Sequence, residues 1–145
     1  MPKTRASRTL PAQRERVWEV VADPHSLPRW WPRTQRVEDV GRRRWTEVLR
    51  TEKGRAVRVD QRLEASEPPA LRRWRQELAG SPFEKMLDES IIEIRLEASD
   101  DATRVTIELR RRLKGMARFG AFMFRRAGRR LAGEALEGLE RACGS

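Results

Sequence analysis

Residues 10–40 read LPAQRERVWEVVADPHSLPRWWPRTQRVEDV, and this stretch decides the fold. Pro11 suits a first helical position, where its missing N–H is no loss and its φ is already helical. Val17, Trp18 and Val21 follow at i, i+1 and i+4 on one face, with Arg14, Glu15, Arg16 and Glu19 on the other. Pro24 disfavours helical geometry at Asp23, so the helix stops there. A second short helical turn follows, in which Pro28 and Pro32 bracket Trp30 and Trp31, and the chain re-emerges as a strand. Stiff loops carrying aromatics either wall a cavity or cap an ordinary core. Trp18 reads as core; Trp30 and Trp31 fit either role, with one expected to point inward and the other toward solvent or a covering helix, and Trp30 favoured as the inward one.

Downstream the text turns β-like, starting with a short run over residues 34–40. Residues 43–51 then set Trp45, Glu47 and Leu49 against Thr46, Val48 and Arg50, and Gly54 supplies a hairpin turn. Residues 55–65 alternate cleanly, with Val57, Val59, Gln61 and Leu63 on one side and Arg58, Asp60, Arg62 and Glu64 on the other, as in a half-buried strand. Pro68-Pro69 breaks that run, since a proline pair cannot sit in a central strand. Residues 70–79 place Trp74, Gln76 and Leu78 opposite Arg73, Arg75 and Glu77. Residues 83–98 carry Ile92, Ile94 and Leu96 inward, with a bulge expected between Leu87 and Ser90 where the alternation lapses. Residues 103–112 return with Val105, Ile107 and Leu109 inward. A further strand near residues 3–9 precedes the first helix.

From about residue 114 to 142 the pattern becomes helical, with a stripe of Gly120, Phe124, Ala127, Leu131, Ala135, Leu139 and Ala142. Its front, residues 116–124, is apolar nearly all round, which suits a ligand lid or a contact between two copies of the chain. Gly120, Gly128, Gly133 and Gly138 are unexpected in a helix, where each costs roughly 1 kcal/mol relative to Ala.

This order resembles the START-like (SRPBCC) helix-grip superfamily, the polyketide cyclase/dehydrase and lipid-transport relatives. Leu10, Pro11, Val17, Trp18, Asp23, Pro24, Leu27, Pro28, Trp30 and Pro32 stand at its motif positions. The resemblance implies an α+β helix-grip fold over residues 1–145 as a single domain. A curved antiparallel sheet of six to seven strands would wrap a long C-terminal helix, with two short helices near the N-terminus. It also implies a cavity between sheet and helix, used by such proteins to bind lipids, polyketides or other hydrophobic molecules and by some to catalyse cyclisation or dehydration.

The chemistry-bearing residues are few. His25 is the only histidine and sits in a helix-ending turn, there is no tyrosine, and the single cysteine, Cys143, lies near the C-terminus. No catalytic residue, metal site or cofactor is expected from this inventory. The net charge of +10 invites a nucleic-acid reading, but 22 acids are interleaved with 32 basic residues and no recognition motif accompanies them. Cross-strand ion pairs on a solvated outer face account for the charge equally well, and no specific nucleic-acid partner is expected. No apolar run approaches the roughly 20 residues that span a bilayer, and no signal-peptide core is present, so the expectation is a cytoplasmic protein that at most touches an anionic membrane surface transiently.

Polar residues do interrupt the inward faces: Gln61 and Gln76, and by their placing Asp88, Ser90 and Arg111. A buried polar group without a partner costs about 1–3 kcal/mol, so each implies a partner, a water or a ligand. Binding of a small hydrophobic ligand is the preferred function, with more weight on binding than on catalysis. The expected cavity wall comprises Val59, Trp74, Ile92, Ile107 and Met123. Trp30, Trp31, Trp45, Gln61, Gln76, Ser90, Leu109 and Phe119 complete the candidate ligand-binding set. A cyclase- or dehydratase-like enzyme is the alternative, with a basic nucleic-acid-associated module behind it. A monomer and a homodimer are both compatible with the sequence.

Overall fold

The computed structural model describes residues 3–51, 53–115 and 120–144. Strand β1 (Lys3–Leu10) leads into helix α1 (Arg14–Val21), a 3₁₀ turn (Pro24–Ser26) and the short helix α2 (Leu27–Trp30). Six further strands follow: β2 (Thr34–Glu38), β3 (Arg44–Arg50), β4 (Ala56–Glu67), β5 (Leu71–Glu77), β6 (Leu87–Ser99) and β7 (Ala102–Leu113). Helix α3 (Ala121–Gly144) ends the chain. All neighbouring strands pair antiparallel in one seven-stranded sheet of order β1-β7-β6-β5-β4-β3-β2. The α+β helix-grip architecture expected from the sequence is the one present.

Local chemistry explains most boundaries. The Asp23 side chain accepts from the His25 backbone N–H at 3.0 Å, so Asp23 caps the 3₁₀ turn that contains His25. Gly54 takes φ +79° in the β3–β4 turn. The expected irregularity falls between Leu87 and Glu89, and a second register shift separates Leu63 from Ala65. The final helix starts later than the periodicity suggests, and at residue 114 the backbone N–H still donates to the Met86 carbonyl, one bond beyond the end of the β6–β7 ladder.

The core lies between the inner face of the sheet and the three helices. Ile92, Ile94, Ile107 and Leu109 pack from the strands, and Ala132, Ala135, Leu136 and Leu139 from α3. Val17, Val20 and Val21 enter from α1, while Trp18 packs only partly buried at the cluster edge. The buried stripe of α3 runs through Gly128, Ala132, Ala135 and Leu139, so Ala127 of the expected stripe is exposed.

Two glycines of α3 have a packing reason. A Cβ on Gly138 would stand 2.4 Å from the Trp30 carbonyl oxygen, so only glycine lets α2 lie against α3. A Cβ on Gly128 would meet Thr4 Oγ1 at 3.2 Å, a side chain able to give slightly. Gly133 faces open space. Accordingly, Gly138→Ala is expected to lower the unfolding free energy by about 1–3 kcal/mol through overpacking. Gly133→Ala should raise it by up to about 1 kcal/mol through helix propensity. Urea denaturation of both variants checks this, and equal effects would remove the close-approach explanation.

The outer face holds the charge. Glu93 is 1% exposed and accepts from Arg73, Arg95 and Arg110, while Glu108 accepts from Arg5 and Arg110. Glu64 pairs with Arg73 and Arg75, and Glu77 with Arg62. Burial works to raise the Glu93 pKa, but the hydrogen bonds from Arg73 and Arg95 outweigh it and hold the carboxyl below its usual range. Arg5, Arg62, Arg73, Arg75, Arg95 and Arg110 of this face are thus each matched by an acid. The expected face charges are present with local changes: Arg58 turns to Glu38, and Asp60 accepts from Thr46.

Candidate functional site

The inner face is the candidate site, because strand alternation brings most of the singled-out residues there. Val59 on β4 and Trp74 on β5 are buried, as are Ile92 on β6 and Ile107 and Leu109 on β7. Trp74 sits opposite both Leu63 and Ile92, and Ile92 opposite Leu109, which makes an apolar row across four strands. Trp45 pairs with Gln61, and Gln61 with Gln76. Ser90, fully buried, donates to the Gln76 side-chain oxygen and stands opposite Arg111 on β7.

Four tryptophans form a continuous edge-to-face chain. Trp30 and Trp31 have ring centroids 5.5 Å apart, Trp31 and Trp74 6.0 Å, and Trp74 and Trp45 5.8 Å. Such pairs are worth about 0.5–1.5 kcal/mol beyond the area they bury. Of the two directions expected for the outer residue of the double tryptophan, solvent or a covering helix, the structure excludes solvent, since Trp30 and Trp31 are 3% and 6% exposed. Trp31 reaches the sheet at Trp74, whereas the backbone of Trp30 is held against Gly138 of α3. The Arg72 guanidinium lies 5.8 Å above the Trp45 ring and donates to Ser66.

Three expectations fail or fall elsewhere. Met123 is 75% exposed and cannot wall the interior. It continues the solvent stripe of Ala127, Arg130 and Glu134, one helical step from the side that carries Phe124 and Gly128. Phe119 lies outside the described residues. Asp88, placed inward by alternation, is exposed and pairs with Lys114, because the bulge beside it reverses the strand phase.

Several interior polar atoms have no hydrogen-bond partner among the described residues. Both side-chain polar atoms of Gln61, the indole N–H of Trp74, the indole N–H of Trp30 and Nε of Arg111 are buried in this state. Gln61 is 1% exposed.

Sequence reasoning passed over one residue of chemical interest. Glu47 is 1% exposed on the inner face of β3, between Val37 on β2 and Val59 on β4. Burial pushes its pKa up to about 7, and the Trp45 indole N–H donating at 3.4 Å only partly offsets that. Its signal was the alternation itself, which sets Glu47 on the same side as Trp45 and Leu49. The outer-face carboxylates are stabilised by arginines; this one is isolated among apolar neighbours.

Among the described residues, no helix is long and apolar enough to cross a membrane. No curated protein sequence matches the chain. Solved structures match throughout its length. A protein from Thermus thermophilus aligns with a TM-score of 0.78 at 21% identity, covering 98% of this chain and 97% of its own. The Zhui aromatase/cyclase from Streptomyces sp. R1128 aligns at 0.76 and 18% identity, covering 99% of this chain and 93% of its own. The di-domain ARO/CYC BexL from the BE-7585A biosynthetic pathway aligns at 0.80 and 23%, covering 97% of this chain and 46% of its own. These likenesses show the helix-grip fold. The model of the family described as polyketide cyclase / dehydrase and lipid transport matches residues 1–144, and the chain belongs to that family.

Proposed function

We propose that the protein binds a small, largely apolar molecule between the inner face of the sheet and α3. The observation that carries this reading is Gln61, an amide 1% exposed with neither its donor nor its acceptor engaged by the described residues. Leaving such atoms unmet costs about 1–3 kcal/mol each, a penalty that a ligand's polar group removes on binding. Few polar atoms in a wall of tryptophan, isoleucine and leucine is the composition that small-molecule sites show. The family and the fold fit a domain that binds hydrophobic ligands.

The experiment is native mass spectrometry of the purified protein followed by titration with Nile red, a neutral apolar dye, read through quenching of the tryptophans. Saturable binding in the micromolar range or tighter is expected. A protein that carries no small molecule and does not bind the dye would refute the reading.

A cyclase-like activity is a second reading, and one observation favours it. Glu47 holds a proton that it can exchange near neutral pH, which is what general acid–base catalysis asks of a carboxyl. The aromatase/cyclase likenesses point the same way. Incubation with a linear poly-β-ketone should then give cyclised product with the native protein and much less with Glu47→Gln. Equal product from both would leave Glu47 without a catalytic role.

A further inference from the structure

Four polar residues of the inner face form one line. Gln61 stands opposite Gln76, Ser90 donates to Gln76, and Ser90 stands opposite Arg111, so the line crosses β4, β5, β6 and β7. It runs beside the apolar row of Trp74, Ile92 and Leu109. The Gln61 end carries an unengaged amide, as described. The Arg111 end carries a charge.

Arg111 differs from the arginines of the outer face. Those surround Glu93, Glu108 and Glu64, whereas Arg111 makes no ion pair with a carboxylate among the described residues. Its guanidinium lies 5.2 Å from the centroid of the Phe124 ring, beneath the first turn of α3, and its Nε is buried with no partner. Burial alone pulls its pKa down to about 10, with no acid opposing it. A ring face offsets part of the cost of desolvating a guanidinium. It does not accept the in-plane N–H bonds, whose natural complement is a pair of oxygens on an anion.

We propose that this line is the head-group end of the ligand site: Arg111 takes an oxygen anion, a carboxylate or a phosphate, while an apolar tail lies along Trp74, Ile92 and Leu109. Ser90 and Gln76 hold the floor beside the anion, and the Gln61 amide serves a second oxygen or hydroxyl farther along the ligand. The site thus selects an amphiphilic acid over a plain hydrocarbon or an amine. This assignment rests on the reading that the interior holds a ligand.

The test is displacement of Nile red by decanoate, decyl phosphate, 1-decanol and decylammonium, in the native protein and in Arg111→Leu and Arg111→Lys. The native protein should bind at least one of the two anions more tightly than the alcohol, with the amine weakest. Arg111→Leu should weaken that anion roughly ten- to a hundredfold, the range for a hydrogen bond to a charged group, and leave the alcohol unchanged. Arg111→Lys keeps the charge without the planar fork and should fall between, which preserves the test if the leucine variant does not fold. The order of decanoate and decyl phosphate names the head group. Dye binding with alcohol and anions bound alike, or all ligands weakened alike by Arg111→Leu, would overturn the head-group assignment while leaving ligand binding intact. No displaceable dye binding at all would overturn both.

Discussion

Replacing Glu47 by Gln is expected to stabilise the protein increasingly as pH rises from about 4.5 to about 7 and to leave its pH dependence unchanged below that range. The unfolded carboxyl titrates near 4.5, while the folded one holds its proton up to about 7. Below 4.5 both states are protonated and Glu47 contributes no pH dependence. Between 4.5 and 7 the folded state keeps a proton that the unfolded state releases, so stability falls as pH rises. Above 7 the whole penalty is in place, on the order of 3 kcal/mol at about 1.36 kcal/mol per pKa unit. Glutamine keeps the shape and an acceptor for the Trp45 indole N–H but has nothing to ionise. Urea denaturation from about pH 4 to about pH 9 should therefore show the variant's advantage opening across that window. Parallel pH profiles for the two proteins would show that Glu47 ionises freely, and with it the case for a proton-exchanging carboxyl in the interior would go.

The outer-face acids act in the opposite sense. Burial alone would raise Glu93 and Glu108, but their arginines depress both below the usual carboxylate range. Their stabilisation is present above about 4.5 and lost as pH falls through the lower, folded values. Native stability should therefore peak in mild acid, between the loss of these pairs on one side and the ionisation of Glu47 on the other. Glu47→Gln removes only the alkaline limb of that curve.

What could be read in advance follows from how each signal is encoded. Strand phase is local, so the alternation in residues 55–65 and 103–112 puts Val59, Gln61, Ile107 and Leu109 on the inner face without knowledge of any partner. The polar row is visible for the same reason, since Gln61, Gln76, Ser90 and Arg111 each break an apolar alternation. Burial across elements is not local. Glu93 reads as a solvent-facing strand residue, and its burial comes from three arginines on β5, β6 and β7 closing over it. Glu47 reads as one more charge in a basic chain until β2 and β4 place valines on both sides. Met123 escapes a sequence reading because a helix apolar on all sides gives no phase, and only packing against β1 and β7 decides which side is covered. Gly138 is illegible for a related reason: its cause is the Trp30 backbone, 108 positions earlier in the chain (138 minus 30).

The tryptophan chain supplies the other large effect. Trp74 is 1% exposed at the junction of the chain, touching Trp31 from α2's end and Trp45 from β3. Trp74→Ala removes both edge-to-face contacts and leaves a void against Leu63 and Ile92, at an expected cost of about 3–5 kcal/mol. Trp74→Phe is the informative partner. It keeps most of the ring stacking and deletes the indole N–H, a donor with no partner among the described residues. Removing an unsatisfied buried donor returns up to about 1–3 kcal/mol, which offsets the lost ring volume, so the phenylalanine variant should stay close to native stability. Its binding of the neutral dye should persist, because the apolar wall remains. Chemical denaturation of both variants, with dye titration alongside, measures the two effects separately. A phenylalanine variant as unstable as the alanine one would mean that the indole is satisfied and closely packed in the native protein, and that this part of the interior is ordinary core.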